Sequence, residues 1–362
     1  MDRRDFLRFS GIAATGFVYP TLAPPAFAQQ PAGKPWRTFE TTTRVEVMKP
    51  VGVTRVWLPV PLARDTIYIR TIDNVWEAEG GKSAVGGDMR YDTGIVWAQW
   101  PEGVKPVFVL KSRFSTRDVA VDLSRPGGVP AESPEVLARY TAASAHVPTD
   151  GAVKALSSQI VKGCTTDVDK ARAIYEWIVD NTYRDPKTRG CGTGDVKFMI
   201  ENQAYHGKCA DLNAFYVALA RAEGLPARDV YGIRVADSAL GYKSLGKSGD
   251  ITKAQHCRAE VYLAGYGWVP VDPADVRKVI LEEEGGKPAD DPKVVAARKR
   301  LFGSWEMNWL AYNYANDIAL PGSDRGAVPF LMYPQCETAE GRLDSLDADN
   351  FKYQITVREI TA

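Results

Sequence analysis

The chain has 362 residues, 45% of them hydrophobic and 25% charged, and its 45 basic side chains are balanced by 45 acidic ones. That length allows two or three domains, each with its own hydrophobic core. A chain without excess positive charge lacks the electrostatic basis for binding nucleic acid or anionic lipid, so nucleic acid is excluded as a partner.

The N-terminus has the pattern of an export signal. It contains Arg3-Arg4-Asp5-Phe6-Leu7-Arg8, an apolar run from Gly11 to Leu22, and a small-x-small site at Ala26-Phe27-Ala28. Pro20 interrupts the run, which is shorter than the ~20 residues that span a bilayer, and this disfavours a membrane anchor. We predict a twin-arginine (Tat) signal peptide over residues 1–28, the Tat export machinery as a partner, and a periplasmic mature protein without stable membrane insertion.

The first part of the mature chain has the pattern of β structure. Between Trp36 and Leu123, short β-branched and aromatic runs are separated by Gly and Pro. Such spacing predicts an antiparallel sandwich of six or seven strands. A Pro-rich and Gly-rich segment from Arg125 to Pro130 then marks a boundary, so we assign an N-terminal β-rich domain to residues 36–125.

Helical periodicity replaces this pattern in the middle of the chain. Thr166 can cap a helix that runs to about Asn181, and a second helix begins near Cys209 and ends at Glu223-Gly224. Strands are predicted after these helices. They cover Val230 to Val235, a hairpin of Gln255 to Leu263 with Trp268 to Asp272, and a closing strand from Phe351 to Val357.

Three residues have the chemistry of an acyl-transfer site. Cys209 lies at a predicted helix start, where unpaired backbone N–H groups lower the pKa of a thiol and can bind an oxyanion. His256 is a candidate base, and Asp272 is a carboxylate able to orient its ring. A three-residue loop, Leu263-Ala264-Gly265, would set His256 directly opposite Asp272 in the hairpin. Each residue alone is more often structural than functional, but together they predict one site.

The segments around these residues resemble the transglutaminase-like superfamily. The resemblance is carried by Gly207-Lys208-Cys209-Ala210-Asp211-Leu212-Asn213-Ala214, by Gly224-Leu225-Pro226-Ala227-Arg228, by His256-Cys257-Arg258-Ala259-Glu260-Val261-Tyr262 and by Gly267-Trp268-Val269-Pro270-Val271-Asp272-Pro273. It implies Cys209 as nucleophile, His256 as base and Asp272 as orienting residue. It also implies an α+β fold with a papain-like core, in which helices pack on an antiparallel sheet.

On this basis residues 133–276 form the expected catalytic domain, and residues 277–362 a mixed C-terminal extension that packs on it. The implied activity is that of a periplasmic cysteine peptidase or amidase acting on a protein or peptide. Two alternatives stay open, a protein-cross-linking transglutaminase and a binding module that keeps the fold without turnover. The complete set of three residues disfavours the binding module.

Further candidates are less specific. Gln203, six residues before Cys209, is either an oxyanion donor or an ordinary loop residue, and His206 is predicted to be a loop residue. Trp305 and Trp309 would share one face of a helix, either packing against the catalytic domain or lining a substrate groove. The three histidines form no spaced cluster and no Cys-x-x-Cys pair occurs, so we expect no metal and no cofactor. Five cysteines permit two disulfides at most; Cys209 is expected to be free and the other pairings stay open.

Overall fold

The computed structural model describes residues 35–360, so the predicted signal peptide lies outside the described residues. The chain begins with strands, as the sequence predicts. They are β1 (Arg37–Val47), β2 (Thr54–Pro59), β3 (Ile69–Glu77), β4 (Lys82–Asp88), β5 (Thr93–Trp100), β6 (Val107–Thr116) and β7 (Val119–Ala120). Alternating buried and exposed residues along β1 and β6 give each strand one face toward a core.

The middle of the chain is mixed. Its elements are α1 (Pro134–Thr141), α2 (Gly151–Ile160), α3 (Asp167–Asn181), β8 (Tyr183–Arg184), α4 (Val196–Glu201), β9 (His206–Gly207), α5 (Cys209–Ala222), β10 (Ala227–Arg234), β11 (Gly249–Asp250), β12 (Gln255–Leu263) and β13 (Gly267–Val271). The two predicted helices are confirmed. Thr166 caps α3 by accepting the amide N–H of Asp169, and α5 begins at Cys209.

The last part of the chain contains α6 (Pro273–Glu282), α7 (Pro292–Arg300), β14 (Ser304–Trp305), β15 (Trp309–Asn313), β16 (Gln335–Thr338), β17 (Gly341–Leu343) and β18 (Phe351–Ile360). Short 3-10 turns occur at Met89–Tyr91, Lys243–Leu245 and Glu283–Gly285. The helix predicted across Trp305 and Trp309 is wrong, because both residues lie in strands. Within residues 35–360, no helix has both the length and the apolar character needed to cross a membrane.

Two five-stranded antiparallel sheets form the sandwich. Their strand orders are β11-β18-β1-β6-β3 and β17-β16-β2-β5-β4. Buried residues from both sheets, such as Val45 and Phe108 from one and Leu58 and Trp100 from the other, share a single hydrophobic cluster. The strands β16 and β18 come from the C-terminal segment, so this segment completes the sandwich of the N-terminal part.

A four-stranded antiparallel sheet, in the order β13-β12-β10-β15, supports the helix that begins at Cys209. The helix α5 packs on β12 and β10 with one side and against α2 and α3 with the other. Because it is enclosed in this way, its residues from Cys209 to Arg221 are all buried. The C-terminal segment is therefore shared, since β15 joins this sheet while β16, β17 and β18 join the sandwich. The fold is α+β, with helices on an antiparallel sheet, as expected from the sequence.

Candidate functional site

The candidate nucleophile is the first residue of α5. Cys209 directly follows Lys208, whose extended backbone makes it the N-cap of the helix. The N–H groups of a first helical turn have no partner inside the helix, and they carry partial positive charge. The Cys209 side chain is only 4% exposed. A thiol in this place lies at an anion-stabilising end of a helix and is largely shielded from water.

The carboxylate of Asp211 holds the start of α5 in position. One oxygen accepts the amide N–H of Lys208 at 2.9 Å, and the other accepts those of Thr193 and Gly194 at 2.9 and 3.0 Å. A Cβ atom on Gly192 would lie 1.8 Å from this carboxylate, and Gly192 also has a φ of +91°. Only glycine fits there. Asp211 thus fixes the loop of residues 191–194 to the helix that carries Cys209.

The candidate base and its orienting carboxylate lie on β12 and at the start of α6. The Nε2 atom of His256 lies 2.8 Å from Oδ2 of Asp272. Asp272 is the N-cap of α6, and its Oδ1 accepts the amide N–H of Asp275 at 3.0 Å. The amide of Asn213, one turn along α5 from Cys209, reaches the same Oδ1 at 3.4 Å. One carboxylate therefore starts a helix and holds the ring of His256.

The hairpin that brings these groups together does not have the expected register. Leu263 pairs with Gly267 and Ala259 with Val271, which places Arg258 rather than His256 across from Asp272. The loop is Ala264-Gly265-Tyr266, one position later in the chain than predicted. Because the loop moves by one position, the residue opposite Asp272 changes by two positions, from His256 to Arg258, and the side chains stay on the same face. His256 reaches Asp272 diagonally, and Arg258 comes within 3.6 Å of the same carboxylate.

A second buried carboxylate lies beside His256, and sequence reasoning missed it. Oδ1 of Asp275 is 3.4 Å from Nε2 of His256 and 2.6 Å from Nη2 of Arg234. Ligand atoms of His256, Asp272 and Asp275 lie within 4.8 Å of one another, a spacing that could hold a metal ion. However, the guanidinium groups of Arg234 and Arg258 already neutralise these carboxylates, and Nε2 is engaged by Asp272. The donor set therefore does not fit a metal. Asp275 follows Asp272 by three residues at the start of a helix, and this spacing in the sequence could have revealed it.

These charges set the protonation of the base. Burial lowers the pKa of His256, but the negative charges of Asp275 and Asp272 outweigh it and raise that pKa to about 9. Burial raises the pKa of Asp275, but the charges of Arg234, His256 and Arg258 and the hydrogen bond from His256 together more than offset this and hold that pKa well below its usual range. His256 is consequently an imidazolium at neutral pH. Since Asp272 occupies Nε2, the atom left for proton exchange with a neighbouring thiol is Nδ1.

Three groups lie against the thiol of Cys209. Contacts with the thiols of Cys191 and Cys257, followed by that with His256, lower the pKa of Cys209 well below its usual value despite burial. Cys191 was not singled out from the sequence, although Gly190 and Gly192 on either side of it mark an unusual loop. Cys257 directly follows His256 on β12 and is fully buried. The lowered pKa of Cys209 and the raised pKa of His256 both favour a thiolate and imidazolium pair at neutral pH.

The less specific candidates lie as follows. Gln203 is in an exposed turn after α4, with a φ of +51°. His206 lies in β9, where its ring stacks on Tyr183 and its Nδ1 is 3.1 Å from Asp185. A role for Gln203 as oxyanion donor stays a prediction.

The two tryptophans belong to the core beneath the site. Trp305 and Trp309 are fully buried, with ring centroids 5.8 Å apart. The indole N–H of Trp309 donates to the backbone carbonyl of His256 at 2.9 Å, and both rings contact the guanidinium of Arg258. They support the strand that carries the base. A role in lining a substrate groove stays a prediction.

No disulfide forms among the cysteines in the described part of the chain. Cys164, Cys191, Cys209, Cys257 and Cys336 are all free. Cys209 is unpaired, as expected from the sequence, and three of the five thiols cluster at the start of α5.

The chain is similar to several known proteins. Residues 154–273 match the model of the transglutaminase-like superfamily, and this range contains Cys209, His256 and Asp272. An uncharacterized protein of Haemophilus influenzae is 33% identical over 343 residues, which cover 89% of this chain and 91% of that protein. Among solved structures, a "putative cysteine protease" from Cytophaga hutchinsonii superposes with a TM-score of 0.50 at 16% identity, covering 90% of this chain and 99% of that one. The periplasmic domain of TgpA from Pseudomonas aeruginosa, bound to ethylmercury, superposes with a TM-score of 0.34 at 15% identity, covering 62% of this chain and 90% of that one.

Proposed function

The chain belongs to the transglutaminase-like superfamily, and from this premise we propose that it is a thiol-dependent acyl-transfer enzyme that hydrolyses amide bonds, a cysteine peptidase or amidase. The observation that carries the proposal is the 2.8 Å contact of His256 with Asp272 beside Cys209 at a helix N-terminus. The twin-arginine pattern at Arg3-Arg4 supports a periplasmic site of action.

The first half of the reaction follows from the protonation states. The Cys209 thiolate attacks the amide carbonyl, and the N–H groups at the start of α5 stabilise the oxyanion that forms. The imidazolium of His256 then donates its Nδ1 proton to the departing amine. Asp272 holds the opposite nitrogen, so the ring is oriented for this transfer and its charge is stabilised. A thioester on Cys209 and a free amine result.

The second half decides the class of product. A water molecule, deprotonated by the now neutral His256, attacks the thioester and releases a carboxylic acid while His256 regains its proton. If a primary amine took the place of water, a new amide would form and the enzyme would be a transglutaminase. We favour water because the structurally similar protein from Cytophaga hutchinsonii is described as a "putative cysteine protease".

A thiol-directed probe tests whether Cys209 is a nucleophile. Native protein and Cys209→Ala are incubated with a low concentration of an iodoacetamide probe at pH 6, where ordinary thiols are protonated. Cys164→Ser is the matched control, because Cys164 is partly exposed and lies outside the thiol cluster. We expect one label, lost in Cys209→Ala and kept in Cys164→Ser. Absence of selective labelling at Cys209 would favour the non-catalytic binding module.

Product analysis then separates hydrolysis from transfer. The protein is incubated with glutamine-containing peptides and a fluorescent primary amine, and the products are identified by mass spectrometry. Hydrolysis yields a new carboxylic acid and leaves the amine free. Incorporation of the amine into peptide would instead identify a transglutaminase.

A further inference from the structure

Cys191 lies in contact with the proposed nucleophile, and the proposed reaction gives it no role. Its backbone carbonyl accepts the amide N–H of Ala210 at 3.0 Å, and its Sγ donates to the carbonyl of Gln255 at 3.4 Å. Ala210 directly follows Cys209, and Gln255 directly precedes His256. Cys191 is thus bound on one side to the neighbour of the nucleophile and on the other to the neighbour of the base.

The backbone geometry suits a disulfide between Cys191 and Cys209. A backbone hydrogen bond of 3.0 Å joins Cys191 to Ala210, the residue after Cys209, so the Cα atoms of the two cysteines lie close together, as a disulfide requires. Contact with Cys209 and burial raise the pKa of the Cys191 thiol. Both residues are buried in the same cluster, at 6% and 4% exposed.

Asp211 holds the loop around Cys191 against the start of α5. Gly190, Gly192 and Gly194 have φ values of +56°, +91° and +68°, which glycine adopts readily and other residues do not. Cys257, the other thiol beside Cys209, is held more firmly. It pairs with Tyr231 in the middle of a sheet, and its backbone carbonyl accepts a hydrogen bond from the side-chain Nδ2 of Asn213 at 2.9 Å.

We propose that Cys191 is a resolving cysteine, which forms a reversible disulfide with Cys209 after a hydroperoxide has oxidised it. The Cys209 thiolate attacks the terminal oxygen of the hydroperoxide, giving a sulfenic acid and an alcohol, or water from hydrogen peroxide. The Cys191 sulfur then attacks the sulfenic sulfur, its proton leaves with the hydroxyl group as water, and the S–S bond forms. Two thiols lose two electrons in total, and the hydroperoxide gains them. A dithiol reverses the step by thiol exchange.

The consequence for the site rests on the proposed function. A nucleophile in a disulfide cannot attack an amide, so oxidation stops the enzyme. The disulfide also blocks further oxidation of Cys209 to sulfinic and sulfonic acid, which are not reversed by thiols. The disulfide with Cys191 therefore keeps Cys209 in a form that thiols can reduce, which suits a protein exported to an oxidising compartment.

The test measures the bond itself, independently of turnover. Full mature protein, Cys191→Ser and Cys257→Ser are treated with a small excess of hydrogen peroxide, alkylated, digested without reduction and mapped by mass spectrometry. Native protein and Cys257→Ser should give a peptide linked through Cys191 and Cys209. In Cys191→Ser, Cys209 should be found as sulfinic or sulfonic acid.

Recovery gives a second measure. After dithiothreitol, probe labelling of Cys209 should return in native protein and in Cys257→Ser, at a level at least tenfold above that in Cys191→Ser. A link from Cys209 to Cys257, sulfonic acid at Cys209 in native protein, or equal recovery in Cys191→Ser would each overturn the proposal. If Cys191→Ser does not fold, the peptide map of native protein alone decides. A disulfide that forms in a protein without amide turnover would support this proposal and contradict the proposed function.

Discussion

The substitution Asp272→Asn isolates the charge that orients the candidate base. The amide is nearly the size of the carboxylate, and its oxygen can still accept the amide N–H of Asp275, so the N-cap of α6 is retained. What is lost is the negative charge 2.8 Å from Nε2 of His256. Asn also presents an N–H toward Nε2 and so disfavours the protonated ring.

The size of the effect follows from Coulomb's law. Both charges are spread over two heteroatoms, which gives an effective separation of roughly 5 Å and an interaction of about 3 kcal/mol at an effective dielectric constant of about 20. That energy corresponds to about 2 pKa units. The pKa of His256, which the two neighbouring carboxylates raise to about 9, should fall to about 7 in Asp272→Asn. The imidazolium would then be only half populated at neutral pH.

The assay is a histidine NMR titration, and the chain suits it because it contains only three histidines. His146 and His206 lie outside the charged cluster and provide reference signals. The control is Asp272→Ala, which should lower the pKa of His256 similarly but also remove the helix cap, at a cost of about 1 kcal/mol in unfolding free energy. A His256 signal that still titrates near 9 in Asp272→Asn would refute the electrostatic role given to Asp272.

Two further predictions follow from the site. Amide turnover needs Cys209 deprotonated and His256 protonated. The pH profile of kcat/KM should therefore be flat through neutral pH and fall above about pH 9, where His256 loses its proton. Activity that rises from pH 8 to 10 would contradict the ion pair of Cys209 and His256. Gly192→Ala should lower the unfolding free energy by about 2 to 4 kcal/mol, from a strained backbone and a clash with Asp211. In the control Gly163→Ala, where φ is +89° and the added Cβ has open space, only the backbone cost of about 1 to 2 kcal/mol applies. Equal urea midpoints for the two variants would contradict the close contact between Gly192 and Asp211.

Local signals predicted the elements that carry the candidate residues. The helix start at Cys209 and the hairpin strand from Gln255 to Leu263 are encoded within a few residues by Gly207, by the apolar periodicity and by the turn glycines. The register of that hairpin was wrong because Gly265 and Gly267 allow the turn to close at more than one position. A shift of two residues leaves the hydrophobic pattern unchanged, so the pattern alone cannot choose between the two registers.

What the sequence did not reveal depends on pairing between distant segments. Trp305 and Trp309 are spaced like residues of one helical face, yet β15 adds to β10, from which it is separated by about 80 residues of chain. A short apolar run fits the period of a helix as well as that of a strand, and the free edge of a sheet, to which it can add, decides between the two. Arg234 and Arg258 are a similar case. In the sequence each is an ordinary charged residue of a strand, and only the fold places it next to a buried carboxylate.

The buried charges around Cys209 explain why the thiol should be ionised in the folded protein. Arg234, Arg258 and His256 carry three positive charges, whereas Asp272 and Asp275 carry two negative ones, and all five are at most 3% exposed. An unbalanced charge in such a place is costly, because water cannot solvate it. Ionised Cys209 adds a negative charge next to these cations. Burial on its own disfavours the thiolate, and the contacts of Cys209 with Cys191, Cys257 and His256 outweigh that cost, so these contacts favour the reactive form of the sulfur.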